Sequence, residues 1–357
     1  MESPAARDIV LVGDIVEDGP SRETIFDWDN PTWPEVEQVR AWILSGGRKA
    51  EVISSVRQFA SEAERYQGRI VLPLWRGGES RSRTAIVPAI CEALDLTYIG
   101  ADAYAQAACQ DKSLSKHLLR AAGIDCALDI VVHSDESGSE ALERCRKLQF
   151  PVVVKPLYSA CSIGVEDASF CEQPGPAMDR AKQLFEQGLG PVIIEPFLRG
   201  EEISLCVIES EGEIDLRCIS VFRDERGECP FAERLLTMSE KISADRRWMI
   251  GCRHTDLGDR LWERVRQLIR FLGPVGPLRV DGRICGGRFV AIELTPDIHL
   301  GLDSPFLGAF GAAGISPASI IDAMIRSAPA NRIGHGRRGG LSLGATARYG
   351  RRLTGKE

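Results

Sequence analysis

Short apolar runs alternate with amphipathic segments along the first third of the chain. Residues 8–13 form an apolar run that ends in glycine, and residues 34–44 carry apolar side chains at helical spacing. A second apolar run covers residues 69–74 and is followed by a helical pattern over residues 82–94. Strands that alternate with helices are typical of a parallel sheet with helices on both faces. The sequence therefore predicts a doubly wound α/β domain at the N-terminus.

The middle of the chain predicts a smaller α+β unit. Asp111 is a residue type that suits a helix N-cap, and Gly123 suits the position just after a helix C-terminus. A buried strand is predicted up to Lys155, because an apolar run precedes it and Pro156 ends it. The other parts of this unit are a segment over residues 125–133 and helices over residues 137–148 and 176–187.

The last third predicts a second α+β unit with more strands. A turn at Gly286-Gly287 joins two predicted strands, residues 278–284 and 288–294. This hairpin brings Asp281 and Glu293 together, since residues on adjacent strands face one another. The other predicted elements are strands near residues 192–195, 203–208 and 214–222 and an amphipathic helix whose apolar stripe is Leu261, Trp262, Val265, Leu268, Ile269 and Leu272.

Composition and charge narrow the class of protein. With 357 residues, the chain is long enough for two or three domains. A net charge of −7 argues against a general nucleic-acid binder, and no apolar run approaches the roughly 18 residues that a membrane span needs. The 11 cysteines lack C-x-x-C pairs and zinc-site spacing, which fits a reduced compartment. We therefore expect a cytoplasmic protein without a disulfide scaffold, a nucleic-acid partner or a membrane partner.

The C-terminal residues 331–357 differ from the rest of the chain. They contain seven Lys or Arg against one acid, many glycines and few large apolar residues. Such a composition predicts a disordered tail. The alternative is a basic arm that packs across a partner subunit or contacts an acidic ligand.

Two groups of polar residues predict a site for phosphate and metal. Lys155 places an ammonium at the end of a buried strand, and small residues over 159–164 let backbone N–H groups approach anionic oxygens. Asp281 and Glu293 are carboxylates on neighbouring predicted strands. Carboxylate oxygens are the ligands that Mg²⁺ prefers. We therefore assign these two acids as candidate metal ligands.

Several segments, taken in this order, resemble the ATP-grasp superfamily, and their spacing most resembles its D-alanine–D-alanine ligase branch. The resemblance implies an ATP-grasp fold with an N-terminal doubly wound (pre-ATP-grasp) domain, a central lid subdomain and a C-terminal α+β subdomain. The boundaries that we assign are 1–107, 108–188 and 189–330, followed by the basic tail. The segments that carry the resemblance are residues 98–101, 110–124, 150–156, 159–164, 193–202, 279–281 and 292–295.

The resemblance implies that ATP binds between the lid and the C-terminal subdomain. Lys112 and Lys155 match the two lysines that contact the α and β phosphates. Cys161 replaces a serine of the loop that closes over the β and γ phosphates. The other residues matched to ATP are Ser159, Ser162 and Gly164 in that loop, Glu195 near the adenine amino group, the backbone around Leu198 at the adenine edge, and Glu202 on the ribose hydroxyls.

The resemblance also implies amide-bond chemistry, in which ATP converts a carboxylate into an acyl phosphate that an amine attacks. Asp281 and Glu293 match the Mg²⁺ ligands of the family. Thr295 stands where the family has an asparagine ligand; a hydroxyl is a weaker ligand, so Asp297 is the alternative. The residues matched to the amine side are Arg279, on the tetrahedral oxyanion and the carboxylate of the incoming amino acid, and Ser304, on the same carboxylate.

The donor side departs from the family pattern. Leu74 and Trp75 stand where the family has His-Gly, and Arg81 and Arg83 follow where it has an acidic Asp-Gly. The two arginines indicate an acidic or polyanionic carboxylate donor. The remaining candidates are Glu17, Asp18 or Glu23 for a donor ammonium and Arg234, Lys241 or Arg246 for the phosphate-binding lysine of the family's mobile loop.

These observations predict an ATP-dependent carboxylate–amine ligase of specialised metabolism that joins a non-standard donor to an amino acid or small amine. ATP and Mg²⁺ are the expected cofactors, small-molecule substrates are the expected partners, and the family suggests a homodimer. One alternative is a D-alanine–D-alanine ligase with a divergent donor pocket, which would form product from D-alanine alone. The other is a degenerate ATP-binding protein with a regulatory role, which would bind ATP without turnover.

Overall fold

In a computed structural model, the described residues form three sheets and the helices that cover them. The basic tail lies outside the described residues, as do Asp18, Glu23, Trp75 and Glu79. The described residues are 8–17, 29–74, 78, 80–243, 245–301 and 303–328.

The N-terminal sheet is parallel, as predicted. Its central strand is apolar throughout because both faces of the sheet are covered. Ile9 and Leu11 belong to one core, while Val10 and Val12 belong to another. The strands are β1 (Ile9–Val12), β2 (Ala50–Ile53), β3 (Ile70–Pro73) and β4 (Thr97–Tyr98), in the spatial order β2-β1-β3-β4, and the helices are α1 (Trp33–Ser45), α2 (Val56–Glu62), α3 (Ile86–Ala93) and α4 (Ala103–Gln110).

The hydrophobic pattern does not predict β2. This strand lies at the edge of the sheet, and only the last of its four residues is fully buried. Central strands such as β1 carry a continuous apolar run because they are covered on both faces. An edge strand that is half-buried lacks that signal, so its residues resemble a loop in the sequence.

The lid contains a second sheet, which is antiparallel. The sequence placed residues 192–195 beyond the lid, with a boundary at residue 188. The structure instead pairs that strand with two lid strands, because its backbone hydrogen bonds join it to both of them. The strands are β5 (Ile130–Val132), β6 (Val152–Pro156), β7 (Phe170–Cys171) and β8 (Val192–Pro196), in the order β5-β8-β6-β7, and the helices of this stretch are α5 (Lys112–Ala121), α6 (Gly138–Cys145) and α7 (Pro174–Glu186).

Helix α5 packs against the C-terminal subdomain, although the sequence placed it in the lid. Asp111 caps its N-terminus as predicted, since Asp111 Oδ1 accepts from the N–H groups of Ser113 (3.0 Å) and Leu114 (2.9 Å). Leu119 lies in the same core as Trp262. The chain therefore enters the C-terminal core before it forms the lid, which a linear division of the sequence does not capture.

The C-terminal subdomain is built on a third sheet of five antiparallel strands. The predicted amphipathic helix covers this sheet with a stripe of which Leu261 alone is not fully buried. The predicted hairpin also forms, and its Gly286-Gly287 turn takes positive φ angles. The strands are β9 (Glu201–Ser210), β10 (Glu213–Asp224), β11 (Trp248–Cys252), β12 (Pro277–Cys285) and β13 (Arg288–Thr295), in the order β11-β10-β9-β12-β13, and the helices are α8 (Met238–Ile242), α9 (Asp259–Leu272), α10 (Pro305–Ala312) and α11 (Pro317–Ser327).

Helices α10 and α11 connect the C-terminal sheet with the N-terminal sheet. Phe306 and Phe310 of α10 lie in one core with Leu11 of β1 and Ile208 of β9. The two helices are apolar because this shared core surrounds them. They meet at an angle of 119°, and no single helix among the described residues is long and apolar enough to cross a membrane.

The turn between β8 and β9 requires glycine at position 200. Gly200 has φ +139°, and a Cβ atom there would lie 2.0 Å from the Ile284 carbonyl oxygen. Gly212 offers a matched control, because it has φ +87° but open space around it. Left-handed backbone costs a non-glycine residue about 1–2 kcal/mol, and overpacking adds about 1–3 kcal/mol.

We expect Gly200→Ala to lower the free energy of unfolding by more than Gly212→Ala does, because only the first substitution adds a backbone clash. Urea denaturation of both variants and of the unchanged protein measures the difference. Equal losses at the two positions would show that the close approach to Ile284 relaxes without cost.

Candidate active site

One cavity of about 550 Å³ lies where the N-terminal domain, the lid and the C-terminal subdomain meet. This volume is in the range of small-molecule and cofactor sites. Five described residues predicted for the site do not line it: Glu17, which is exposed, Arg81, Arg83, Gly164 and Arg234. The predicted residues that do line it are Lys112, Lys155, Ser159, Cys161, Ser162, Glu195, Leu198, Glu202, Lys241, Arg246, Arg279, Asp281, Glu293, Thr295, Asp297 and Ser304.

A buried carboxylate joins two lysines in this cavity. Lys155 Nζ on β6 lies 2.7 Å from Glu195 Oε1 on β8, and Lys116 Nζ on α5 contacts Glu195 Oε2. Burial alone would raise the pKa of Glu195, but the two ammonium groups lower it to about 2. Burial opposes the charge of Lys155, while Glu195 raises the Lys155 pKa above its usual value. Lys155 therefore carries a positive charge at neutral pH.

The assignment of Glu195 to the adenine amino group stays a prediction, and the structure shows which side chains surround this carboxylate. Each carboxylate oxygen of Glu195 accepts from a lysine. Lys116 was not predicted as a site residue, yet it is fully buried and lines the cavity. A buried lysine is uncommon unless it is paired, which is the role that Glu195 fills.

The positive charge of Lys112 is less well neutralised than that of Lys155. Its ammonium contacts the Ser159 carbonyl oxygen and lies 3.4 Å from the Leu157 carbonyl oxygen. Burial lowers its pKa to about 8, with Glu293 opposing the shift and Lys155 adding to it. The two predicted phosphate lysines therefore differ: Lys155 stays charged at high pH, and Lys112 titrates near pH 8.

The loop after β6 is held at both sides of the cavity. Cys161 and Ser162 have positive φ angles of 51° and 60°, which non-glycine residues adopt rarely. Cys161 Sγ donates to Asp29 Oδ1 of the N-terminal domain (3.1 Å), and Ser162 Oγ donates to the Leu236 carbonyl oxygen (3.0 Å). Cys161 thus has a thiol contact where the family has a serine. Gly164 lies behind the loop, packed against Pro156.

Arg283 on β12 holds the turn that carries Leu198 and the start of β9, which carries Glu202. Its guanidinium donates to the Leu198 carbonyl oxygen (2.7 Å) and to Glu202 Oε2 (2.7 Å). It also lies over the Phe197 ring, 4.6 Å from the ring centroid. The sequence did not predict Arg283, although its place two residues after Asp281 puts it on the same face of the strand.

Arg279, Asp281 and Glu293 lie together on the β12–β13 hairpin. Asp281 is the cross-strand partner of Glu293, which confirms the pairing read from the hairpin pattern. Arg279 donates to both oxygens of Asp281, through Nε (2.6 Å) and Nη2 (2.8 Å). Burial favours neutral Asp281, but Arg279 lowers the Asp281 pKa below its usual range. Asp281 is therefore ionised and available as an oxygen ligand.

The donor set of this hairpin fits Mg²⁺. Asp281 and Glu293 supply two carboxylates, and the Thr295 hydroxyl donates to Asp281 Oδ2 (3.3 Å). Among the described residues, no group of three or more His, Cys, Asp or Glu side chains could hold a metal ion by itself. Mg²⁺ in phosphate-transfer sites is held by one or two carboxylates, with phosphate and water completing its shell. Asp281 and Glu293 could hold Mg²⁺ in this way.

The wall beside this hairpin contains Ser304 at the start of α10. Ser304 Oγ accepts from the Leu307 N–H (3.1 Å), and a hydroxyl that accepts can also donate. Arg246 lines the same wall, 3.1 Å from Asp303 and over the Trp248 ring. Lys241 also lines the cavity.

Arg234, the remaining candidate for the family's loop lysine, contacts Glu240 and the Phe231 ring instead of lining the cavity. Lys241 and Arg246 are therefore the two candidates for that lysine's role that line the cavity.

The N-terminal domain contributes acids that the sequence did not predict. Asp29 and Glu35 line the cavity, and Glu35 Oε1 contacts His299 Nε2. Burial opposes ionisation of Glu35, but His299 and Thr32 lower its pKa to about 2. Glu35 is also part of a helix capping box, which is the only sequence signal that singles it out.

Arg83 lies behind the cavity wall. It is 3% exposed, and its guanidinium contacts the Tyr158 carbonyl oxygen (2.8 Å) and Asp29 (3.6 Å). Arg81 is exposed and lies near the Tyr158 ring, at 5.9 Å. Neither arginine lines the cavity, so the structure gives no support to their predicted contact with an acidic donor.

Comparison with known proteins identifies one family that matches this chain. The model for the D-ala D-ala ligase C-terminus matches residues 118–326, more than half of the chain. The D-alanine–D-alanine ligase of Corynebacterium aurimucosum is 26% identical over 264 residues, 72% of this chain and 70% of that protein.

Two solved structures share the fold. The D-alanine–D-alanine ligase of Bacillus anthracis complexed with ATP has a TM-score of 0.68 at 19% identity, covering 92% of this chain and 99% of that chain. The VanG D-Ala:D-Ser ligase of Enterococcus faecalis has a TM-score of 0.62 at 15% identity, covering 90% and 98%. These matches confirm the predicted ATP-grasp fold class.

The Lys116–Glu195–Lys155 cluster predicts an order of stabilities. Glu195→Gln leaves two buried ammonium groups without a counter-charge, for which we expect a loss of about 3–5 kcal/mol in the free energy of unfolding. Lys116→Met removes one charge-assisted hydrogen bond but leaves Glu195 paired with Lys155, so we expect about 1.5–3 kcal/mol.

Urea denaturation checks this order, and Lys182→Met is the matched control. Lys182 forms an exposed helical pair with Glu186, so its replacement should leave stability unchanged. A larger loss for Lys116→Met than for Glu195→Gln would contradict the proposed charge balance.

Proposed function

Since this chain belongs to the D-alanine–D-alanine ligase family of ATP-dependent, C–N bond-forming enzymes, we propose that it joins a carboxylate donor other than D-alanine to an amino acid or small amine. The reaction would proceed through an acyl phosphate, with ATP and Mg²⁺ as cofactors. One observation carries the proposal: a single cavity holds the charged Lys155 on the lid and the Arg279–Asp281–Glu293 group on the opposite sheet.

Activation of the donor needs cations around the transferred phosphate. Lys155 supplies a charge that Glu195 keeps in place, and Lys112 supplies a second one from α5. Backbone N–H groups of the loop over 159–164 are suited to phosphate oxygens. Mg²⁺, held by Asp281 and Glu293, would supply charge neutralisation for the phosphates.

Attack by the amine creates an oxyanion that needs a fixed donor. Arg279 uses Nε and Nη2 on Asp281, which holds the guanidinium plane without engaging Nη1 in that pair. A guanidinium is permanently charged, so it can stabilise the oxyanion and the acceptor carboxylate at any physiological pH. Ser304 lies on the same wall and offers a hydroxyl to that carboxylate.

The donor wall supports a donor that differs from a small D-amino acid. Its two acids already have partners: Asp29 contacts Cys161 and Arg83, while Glu35 contacts His299. A carboxylate that is already neutralised gains less from binding an ammonium. Because Arg81 and Arg83 do not line the cavity, we do not propose an acidic donor.

A D-alanine–D-alanine ligase is the second candidate. The placement of Asp29 and Glu35 on the cavity wall favours it, since a carboxylate there could exchange its present partner for the ammonium of an amino-acid donor. The names of related proteins point the same way, as with the D-alanine–D-alanine ligase of Corynebacterium aurimucosum.

ADP release with ATP and Mg²⁺ tests the proposal. We expect no dipeptide from D-alanine alone and ADP release only when two different compounds are present, with the product identified by mass spectrometry. Lys155→Met serves as the control for contaminating ATPases. A dipeptide from D-alanine alone would establish the second candidate, and absence of ATP turnover with every pair would contradict both.

The low pKa of Lys112 predicts a pH dependence. The ammonium is fully charged well below pH 8 and loses its charge as the pH rises through about 8. Because the pH dependence of kcat/KM reports the pKa values of the free enzyme, we expect kcat/KM for ATP to fall above that pH. Lys112→Arg keeps a permanent charge, so its profile should stay flat there. A decline of equal size in both proteins would assign the titration to another group.

A further inference from the structure

Arg283 on β12 joins two segments that are far apart in the sequence, residues 198–202 and residues 232–234. Nη1 donates to the Leu198 carbonyl oxygen, and Nη2 donates to Glu202 Oε2 and to the Arg234 carbonyl oxygen (3.0 Å). Nη1 also lies 3.4 Å from the Ala232 carbonyl oxygen. The residue is only 2% exposed. Such a set of acceptors fixes the position and the plane of the guanidinium.

The strand register places Arg283 directly opposite Glu202. The two residues are cross-strand partners on β12 and β9, so their side chains share a face of the sheet. The ion pair uses Oε2 of Glu202, which leaves Oε1 outside this contact. The Glu202 side chain is 21% exposed, and the residue lines the cavity. One oxygen of Glu202 is therefore anchored, and the other takes no part in this ion pair.

We propose that Arg283 is a positioning residue for ATP. It fixes Glu202 for hydrogen bonds to the ribose hydroxyls, and it holds the backbone turn at Leu198 in place beside the adenine base. This proposal rests on the proposed binding of ATP in the cavity. A glutamate has three side-chain torsions, and holding it in one orientation has an entropic cost. The planar fork of an arginine already held by four acceptors removes that cost before the nucleotide binds.

A purely structural role for Arg283 makes a different prediction. If Arg283 only stabilised the fold, its loss would weaken the binding of all nucleotides equally. If it orients Glu202, its loss removes the benefit of the ribose hydroxyls in particular. The contrast between ATP and 3′-deoxy-ATP therefore separates the two roles, because these nucleotides differ by one hydroxyl.

The experiment measures dissociation constants for ATP and 3′-deoxy-ATP by calorimetry, with Mg²⁺ and without donor or acceptor. A hydrogen bond to a charged group is worth about tenfold or more in affinity, so we expect the unchanged protein to bind 3′-deoxy-ATP about tenfold more weakly. In Arg283→Met we expect that ratio to fall to about one to two, chiefly through weaker binding of ATP. Glu202→Gln should reduce the ratio in the same way.

Arg199→Met is the matched control. Arg199 belongs to the same turn, but its guanidinium forms an exposed pair with Glu233 and does not line the cavity. Its replacement should leave the ratio unchanged. Arg283→Lys is the milder variant, should Arg283→Met fail to fold. A lysine cannot hold the turn and Glu202 simultaneously as a planar fork does, so the ratio should fall there as well.

The outcomes distinguish this proposal from the proposed function. An unchanged ratio in a folded Arg283 variant, with both nucleotides weakened equally, would overturn the positioning role. A ratio near one in the unchanged protein would remove the assignment of Glu202 to the ribose and this proposal with it. Absence of ATP binding would contradict the proposed function itself. Ligase activity is not needed for the measurement, so an unidentified donor does not affect it.

Discussion

A positive charge that is removed from water must be neutralised or hydrogen-bonded, and this constraint organises the cavity. Lys155 and Lys116 share the carboxylate of Glu195, and Arg279 is paired with Asp281. Within the described part of the chain, the close partners of Lys112 are carbonyl oxygens, and burial lowers the pKa of this lysine. The lid, the C-terminal sheet and helix α5 each place one of these charged residues in the cavity: Lys155, Arg279 and Lys112, respectively.

The same constraint explains the alternation along β12. Arg279, Asp281 and Arg283 occupy every second position, so all three point to one face of the sheet. The intervening Val280 is buried in the core beneath α9. A single strand therefore serves the core with one face and the chemistry with the other. Its two arginines have different acceptors: Asp281 for one, and Glu202 with the turn carbonyls for the other.

The sequence predicted those parts of the site that a local pattern encodes. The hairpin over 277–295 brought Asp281 opposite Glu293 as expected, although the register set at the turn would pair Asp281 with Ile292; an irregularity between Asp281 and Gly282 shifts the pairing by one residue. It did not predict Lys116, Asp29 or Glu35, since each becomes a cavity residue only through contact with a distant segment. It also misplaced the strand over 192–196, because pairing partners are not visible in a linear pattern.

The sequence by itself determined the class of the N-terminal sheet, the Asp281–Glu293 hairpin, the ATP-grasp resemblance and the residue types of the site. These follow from periodicity, helix caps and short motifs, which act over a few neighbouring residues. The tertiary structure decided which charges meet. It buried Arg83 behind the wall and gave both oxygens of Glu195 to lysines. Electrostatic and desolvation energies depend on distance in space, and separation along the chain does not report that distance.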